Sequence, residues 1–447
     1  VITTKKFFST ITRTPQLKPS MNNSKRHPLS WIPSLYFVEG LPYIIVAVVS
    51  LIMFKRFGLS DTESAAYSAW LSLPWVIKPL WSPIVEMFKT KRWWILTMQA
   101  LMSMALSLIA FSIPTSYYVQ ASLALFFLIA FSSATHDISA DGFYMTALDE
   151  HDQAQYVGIR STFYRLSTIF TEGLLLMYIG NWEVITRNVP LAWSIGLGTI
   201  AILLFLTAGY HLWALPKVEH NAHENEHRLT LEEATKEFGT TFLTFFQKPM
   251  IGSAIIFMLF YRLPEALLTK IFPLFLTAKA EHGGLALTTQ QFGFAYGTVG
   301  VIGLTLGGIL GGMAVARHGF QRWKWPMVIA ISLPNFFYCL LAYYQPTNFL
   351  WANLAIAVEQ FGYGFGFTLY MLFLLYFAQG KSKASHYALC TGFMALSMTI
   401  PGFTAGWIAD QLGYYTSFIL VMCLIPVTFW VTSIIKVPND YGRKTKA

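Results

Sequence analysis

Charge is scarce in this sequence. Asp, Glu, Lys and Arg make up 12% of its 447 residues, where an average soluble domain carries about 25%. Hydrophobic residues supply 55%, and mean hydropathy is +0.49. That balance excludes a cytosolic enzyme, a disordered chain and a coiled coil. Cysteine is scarcer still: Cys339, Cys390 and Cys423 each lie in an apolar run, with no C-x-x-C. A disulfide scaffold and a cysteine metal site are thereby excluded, and the three read as small hydrophobes. No metal or other cofactor is expected. The first twenty residues lack an apolar h-region and so form no secretory signal. Met21 is expected to be the native start, with the residues before it an extension.

What charge there is sits at the ends. The formal net charge is +9. Residues 1–30 hold six basic and no acidic residues, and 436–447 hold four basic and one acidic, so 31–435 is neutral. Basic tails beside a neutral apolar body fit cytoplasmic membrane flanks. A nucleic-acid partner would need the charge on a folded surface, and none is expected.

A bilayer is crossed by ~20 mostly apolar residues. Twelve segments qualify: 32–54, 63–88, 93–113, 117–145, 155–180, 191–215, 249–278, 289–316, 325–345, 348–378, 385–410 and 414–436. Short polar turns separate most of them. The exception, 216–247, carries three basic and six acidic residues and divides the twelve into six and six. The fold class is therefore an all-α membrane protein of twelve spanning helices in two six-helix bundles. The expected organisation is a basic tail (1–30), a first bundle (31–215), a cytoplasmic linker (216–248), a second bundle (249–436) and a basic tail (437–447). With both ends inside, the cytoplasmic turns hold twelve Lys and Arg against four outside. This positive-inside bias places both termini in the cytoplasm. The halves also read as parallel repeats: S-P-I-V-E-M-F-K-T-K-R-W-W (82–94) and G-G-M-A-V-A-R-H-G-F-Q-R-W (311–323) are matching tight basic turns. Glu86, Lys91, Arg92 and Arg317 in them are candidates for a cytoplasmic gate. Two six-helix halves suit a midplane site that alternates between faces.

An ionisable side chain at the bilayer centre costs at least ~2.5 kcal/mol on insertion scales. Yet Glu39, Lys78, His136, Asp137, Asp141, Arg160, Arg165, Glu172, Arg262, Glu265, Lys270 and Glu359 all fall within spans. Arg160 and Lys270, read singly, suit snorkelling or structural roles. The clusters do not. H-D-I-S-A-D sets Asp137 and Asp141 four apart on one helix face. Two carboxylates so close in low dielectric cannot both ionise easily, which suits a proton carrier; pairing with a basic neighbour is the structural alternative. Arg165 is the expected partner for either Asp, or for an anionic substrate group. Trp75, Lys78 and Ser82 share a face of W-V-I-K-P-L-W-S-P, whose prolines at 74, 79 and 83 interrupt the helix. Broken backbone is tolerated at membrane depth where it lines a cavity. Arg262 and Glu265 flank Pro264, and Glu39 stands beside G-L-P. The expected substrate contacts are Lys78, Trp75, Tyr164, Arg165, Arg262, Glu359 and Gln360; the expected proton carriers are Asp137, Asp141, Glu39 and Glu265.

The segments K-P-L-W-S-P-I-V-E (78–86), H-D-I-S-A-D-G-F-Y-M-T-A-L (136–148), G-I-R-S-T-F-Y-R-L (158–166), V-E-Q-F-G-Y-G-F-G (358–366), S-H-Y-A-L (385–389) and P-G-F-T-A-G-W-I-A-D-Q-L-G-Y-Y-T-S-F (401–418) together resemble the AmpG-type muropeptide permeases. The resemblance covers nearly all of 31–436. It implies a major facilitator fold in the bacterial inner membrane and proton-driven import of an anhydromuropeptide from wall turnover. The sequence departs from the family pattern at His136, where the family has Gln, at Glu39, where it has a small residue, and at V-E-Q-F, where it has F-E-N-F. A proton-coupled importer of another oligosaccharide or a glycan-derived disaccharide is the alternative.

A membrane-embedded enzyme is the competing class. His136 and Asp141 match H-x-x-x-x-D, but residues five apart on a helix point about 140° apart and do not converge. No Ser nucleophile motif or metal set accompanies them, so no catalytic residue is expected. A sensor that binds the ligand without flux is a third class. An acyl-coenzyme A carrier would want more cavity cations. The expected partners are a saccharide or muropeptide, protons and lipid, with a monomer in the membrane.

Overall fold

The computed structural model describes residues 26–59, 67, 70–115, 117–218, 231–287 and 289–443. Residues 1–25, with the expected start at Met21, the beginning of the expected second span at 63–66, and the linker stretch 219–230 lie outside the described residues.

Proline and glycine decide how the apolar runs are cut. α1 (32–56) starts behind a short 3-10 turn at Pro28–Ser30, where proline at the first position is preorganised for a helix. α2 (73–87) is not one helix. It runs Leu73–Ile77, then a 3-10 turn Lys78–Leu80, then Ser82–Met87, because Pro79 and Pro83 each remove a ladder donor. α3 (Lys91–Ser112) is capped by Thr90, whose side chain accepts from the Trp93 amide. α4 is Tyr118–Ala147. α5 (150–186) is longer than the apolar run at 155–180. Asp149 accepts from the Asp152 amide at 2.8 Å and Glu150 and Asp152 occupy the first turn, so acids at the positive helix end start it early. α6 is Val189–Ala214.

In the linker, Leu231–Phe246 forms α7. α8 (251–277) breaks at Tyr261 and Arg262, just before Pro264. α9 (289–318) and α10 (320–344) meet at Gly319, and α11 is Phe349–Ala378. The helical stretch Lys383–Ile434 departs from helix geometry at Gly413 (φ 71°, ψ 164°), which separates α12 (383–412) from α13 (414–434). Twelve spanning helices and one linker helix result among the described residues. Nine of the spans are long and apolar enough to be recognised on composition alone. The other three are the broken α2, the polar α5 and α12, which runs on into α13.

One apolar cluster draws on residues from Val38 to Leu204 and a second on residues from Leu267 to Val421. Between them α5 crosses α9, and α12 packs on α4 and the end of α2. At the α5–α9 crossing Gly158 faces Gly308 and Gly312 faces Ala154, so the two backbones touch without side chains between them. At the end carrying the basic turns, Glu86 accepts from the Ala384 amide at 3.1 Å and Lys383 Nζ donates to the Met145 carbonyl at 3.4 Å. These contacts join the two halves of the chain at that end.

Candidate functional site

A cavity of about 310 Å³ is enclosed by helices of both halves of the chain. Seven of its lining residues carry charge: Glu39, Lys78, Asp137, Asp141, Arg160, Arg165 and Arg262. They arrive from α1, α2, α4, α5 and α8. Each is held at depth by a local cause. Lys78 sits in the 3-10 turn that the prolines of α2 force, so its amine leaves the helix face and reaches Asp137 Oδ2 at 3.5 Å. Asp141, one turn along α4, pairs with Arg160 of α5 and accepts from the Tyr36 hydroxyl at 3.4 Å. Arg160 is enclosed by the rings of Tyr36, Tyr144 and Tyr387, at 4.5, 5.4 and 5.3 Å from its guanidinium carbon to the ring centroids. Burying an ion is costly unless it is paired and hydrogen-bonded; both ions of each pair meet an opposite charge, while Asp137 Oδ1 and one terminal nitrogen of Arg160 are buried without a hydrogen-bond partner among the described residues. Glu39 Oε2 is buried with no hydrogen-bond partner among the described residues, within electrostatic reach of both aspartates.

On the other side of the cavity Arg165 donates to the Tyr296 hydroxyl at 3.1 Å, and Arg262 to the Tyr363 hydroxyl at 2.5 Å. Behind this wall, Glu359 accepts from Tyr338 at 3.2 Å and from Gln360 at 2.8 Å.

Several expectations are corrected by these positions. Arg165 was the expected partner of the aspartates. Arg160, which alone suits a structural role, takes that place because residue 160 lies at the level of Asp141 while residue 165 faces α9. Glu359 and Gln360 satisfy each other and Tyr338 and do not line the cavity, nor does Glu265, which is buried behind it. Trp75 packs edge-on against Tyr43 at 5.0 Å and is not among the lining residues. Tyr164 does line it, as do Lys78, Arg165 and Arg262. His136 turns away from the cavity to Gln99 at 2.9 Å, and Gln99 continues to His211 at 2.9 Å and Ser34 at a further 2.9 Å. His136 and Asp141 therefore face different surroundings, as a five-residue helical step requires. Glu172 and Lys270 are exposed. Of the gate candidates, Glu86 pairs with Lys91 at 3.4 Å and reaches Ala384. Arg92 instead caps the end of α6, donating to the carbonyls of Leu212 and Leu215 at 2.6 and 3.3 Å, and Arg317 is exposed. Sequence reasoning missed Tyr36, Tyr296 and Tyr387. Their signal was weak, since 22 tyrosines are spread over the chain and only packing selects these.

Residues 34–403 match the family model described as Major Facilitator Superfamily. The chain belongs to the major facilitator superfamily. It is thus a multi-pass membrane transporter and not an enzyme. Among similar curated proteins, a Rickettsia conorii protein that carries the name transporter AmpG 4 is 24% identical over 88% of this chain and 93% of its own length. The anhydromuropeptide permease of Escherichia coli K12 is 23% identical over 86% of this chain and 75% of its own length. Among solved structures, this major facilitator chain is similar to the transporter FucP in the outward conformation, at TM-score 0.61 and 14% identity over 92% of this chain and 99% of FucP. It is also similar to the proton:xylose symporter XylE, at TM-score 0.64 and 13% identity over 93% of this chain and 98% of XylE.

Proposed function

We propose that this transporter imports an amino-sugar saccharide or anhydromuropeptide together with protons, by alternating access, across the bacterial inner membrane with both termini in the cytoplasm. The observation that carries the reading is the doubly paired wall, Lys78 with Asp137 and Arg160 with Asp141, lining one cavity enclosed by helices of both halves. A carboxylate paired with a cation can exchange that partner for a proton, and the released cation is then free to hold cargo. Rocking of the halves 31–215 and 249–436 about the α5–α9 crossing would expose the cavity to each face in turn. The names of the AmpG and anhydromuropeptide permease relatives support the cargo class, and the symporter neighbours support the proton. Of the departures from the family pattern, His136 lies away from the cavity and only Glu39 enters it, which favours the muropeptide class over an unrelated saccharide.

Uptake into energised vesicles tests this. Concentrative uptake of N-acetylglucosaminyl-1,6-anhydro-N-acetylmuramyl tripeptide should collapse on adding an uncoupler. Asp141→Asn should abolish concentration of the cargo while leaving exchange measurable. Uptake that an uncoupler leaves unchanged removes the proton from the mechanism.

A further inference from the structure

The four cavity cations are not equivalent. Lys78 and Arg160 each have a carboxylate in contact. Arg165 and Arg262 have none among the described residues; each is held by a tyrosine hydroxyl, Tyr296 and Tyr363 respectively. A neutral hydroxyl brings no opposing charge, whereas a guanidinium offers five donors in a planar fork. Arg262 lies under Tyr363 and Phe367, at 5.5 and 4.8 Å to the ring centroids, and its Nε is buried with no acceptor among the described residues. Glu265 and Glu359 behind the wall and Glu172 on α5 stand within electrostatic reach, but none of the three is in contact with these donors among the described residues. Over the whole lining, four cations face three acids. The two cations without a carboxylate in contact also come from different halves of the chain, Arg165 from α5 and Arg262 from α8.

We propose that Arg165 and Arg262 form a carboxylate clamp, so that the cargo must carry an acid group and that group draws the two halves together. This rests on the amino-sugar reading above and sharpens it. The lactyl or peptide carboxylate, rather than the sugar hydroxyls, is what the cavity selects. The tyrosines fix the orientation of each fork before the anion arrives, and the aromatic faces exclude water from it.

The test uses the full chain in nanodiscs and two probes that differ in one charge: N-acetylglucosaminyl-1,6-anhydro-N-acetylmuramic acid and its methyl ester. The acid should bind at least about tenfold more tightly than the ester, the size expected of one charge-assisted bidentate contact. Arg262→Gln and, separately, Arg165→Gln should each weaken the acid about tenfold and move the ester by less than twofold. Tyr363→Phe, a milder change, should weaken the acid alone by a few fold. Equal binding of acid and ester to the unaltered protein overturns the clamp while leaving the cargo class intact. An acid preference that survives both arginine substitutions in folded protein also overturns it. If neither probe binds, the cargo reading fails and the clamp fails with it.

Discussion

Gly158 of α5 and Gly308 of α9 meet unequally. A β-carbon on Gly158 would lie 2.1 Å from the Gly308 carbonyl oxygen, whereas one on Gly308 would find its nearest neighbour, the Gly158 Cα, at 3.6 Å. The first is a clash with backbone that cannot rotate away; the second is ordinary contact. Gly158→Ala should therefore cost about 1–3 kcal/mol by overpacking and push α5 off α9. Gly308→Ala should be neutral, or stabilise by up to about 1 kcal/mol through the unfolded chain. Melting temperatures in detergent, with uptake on the same samples, check this: only the first substitution should lower both.

The pair of Lys78 and Asp137 is expected to act as a unit. Lys78→Met leaves a buried carboxylate unpaired and should cost about 3–5 kcal/mol, with uptake lost. The double variant Lys78→Met, Asp137→Leu should recover most of the stability without recovering uptake. A double variant that melts as low as the single one would show that the pair does not account for the loss.

Glu86 ties the end of α2 to the first amide of α12 and to Lys91. A hydrogen bond to a charged group contributes about 1.5–3 kcal/mol. Glu86→Ala should shift the conformational equilibrium at least about tenfold away from closure at the basic-turn end. Spin labels at the exposed positions 149 and 381, in the turns after α4 and before α12, should then report a longer distance distribution, while the affinity for cargo in the closed form stays unchanged.

The chain Ser34–His211–Gln99–His136 links α1, α6, α3 and α4. Gln99 is fully buried and serves both imidazoles. Gln99→Leu should leave two buried ring nitrogens without a partner, at about 1–3 kcal/mol for each. Thermal unfolding should show the loss. Cargo affinity should hold, because none of the four lines the cavity.

Lys248, in the turn before α8, donates to the Phe377 and Gln379 carbonyls at the end of α11. Burial pushes its amine down from 10.5 to about 8. The unfolded chain therefore holds the proton more tightly, so the cost of the buried charge is full below pH about 8 and fades between pH 8 and 10.5. Relative to Lys248→Met, the unaltered protein should gain stability as pH rises from 7.5 to 9.5. A flat difference would contradict this sign.

Much of the polar wall is visible in the sequence as position but not as partnership. Asp137 and Asp141 share a face because of their four-residue spacing, and the prolines around Lys78 announce broken helix. Which cation meets which acid is another matter. Arg160 and Arg165 both follow in the same helix, and the choice between them turns on how α5 is rotated and set against α4. The setting of α4 against α3 withdraws His136 from the cavity toward Gln99, and the packing of α11 holds Glu359 behind it.

Composition and hydropathy alone determined that this is a polytopic all-α membrane protein, because lipid admits only helices and closed barrels, and apolar runs of about 20 residues suit the helix. The six-and-six division and the basic turns were equally readable, since they are one-dimensional properties of the chain. The pairing of acids with cations, the tyrosines that cage or orient the arginines, and the two cations left without a carboxylate were decided only by the tertiary structure. Those relations join side chains on different helices, where no local periodicity carries information and only packing fixes distance.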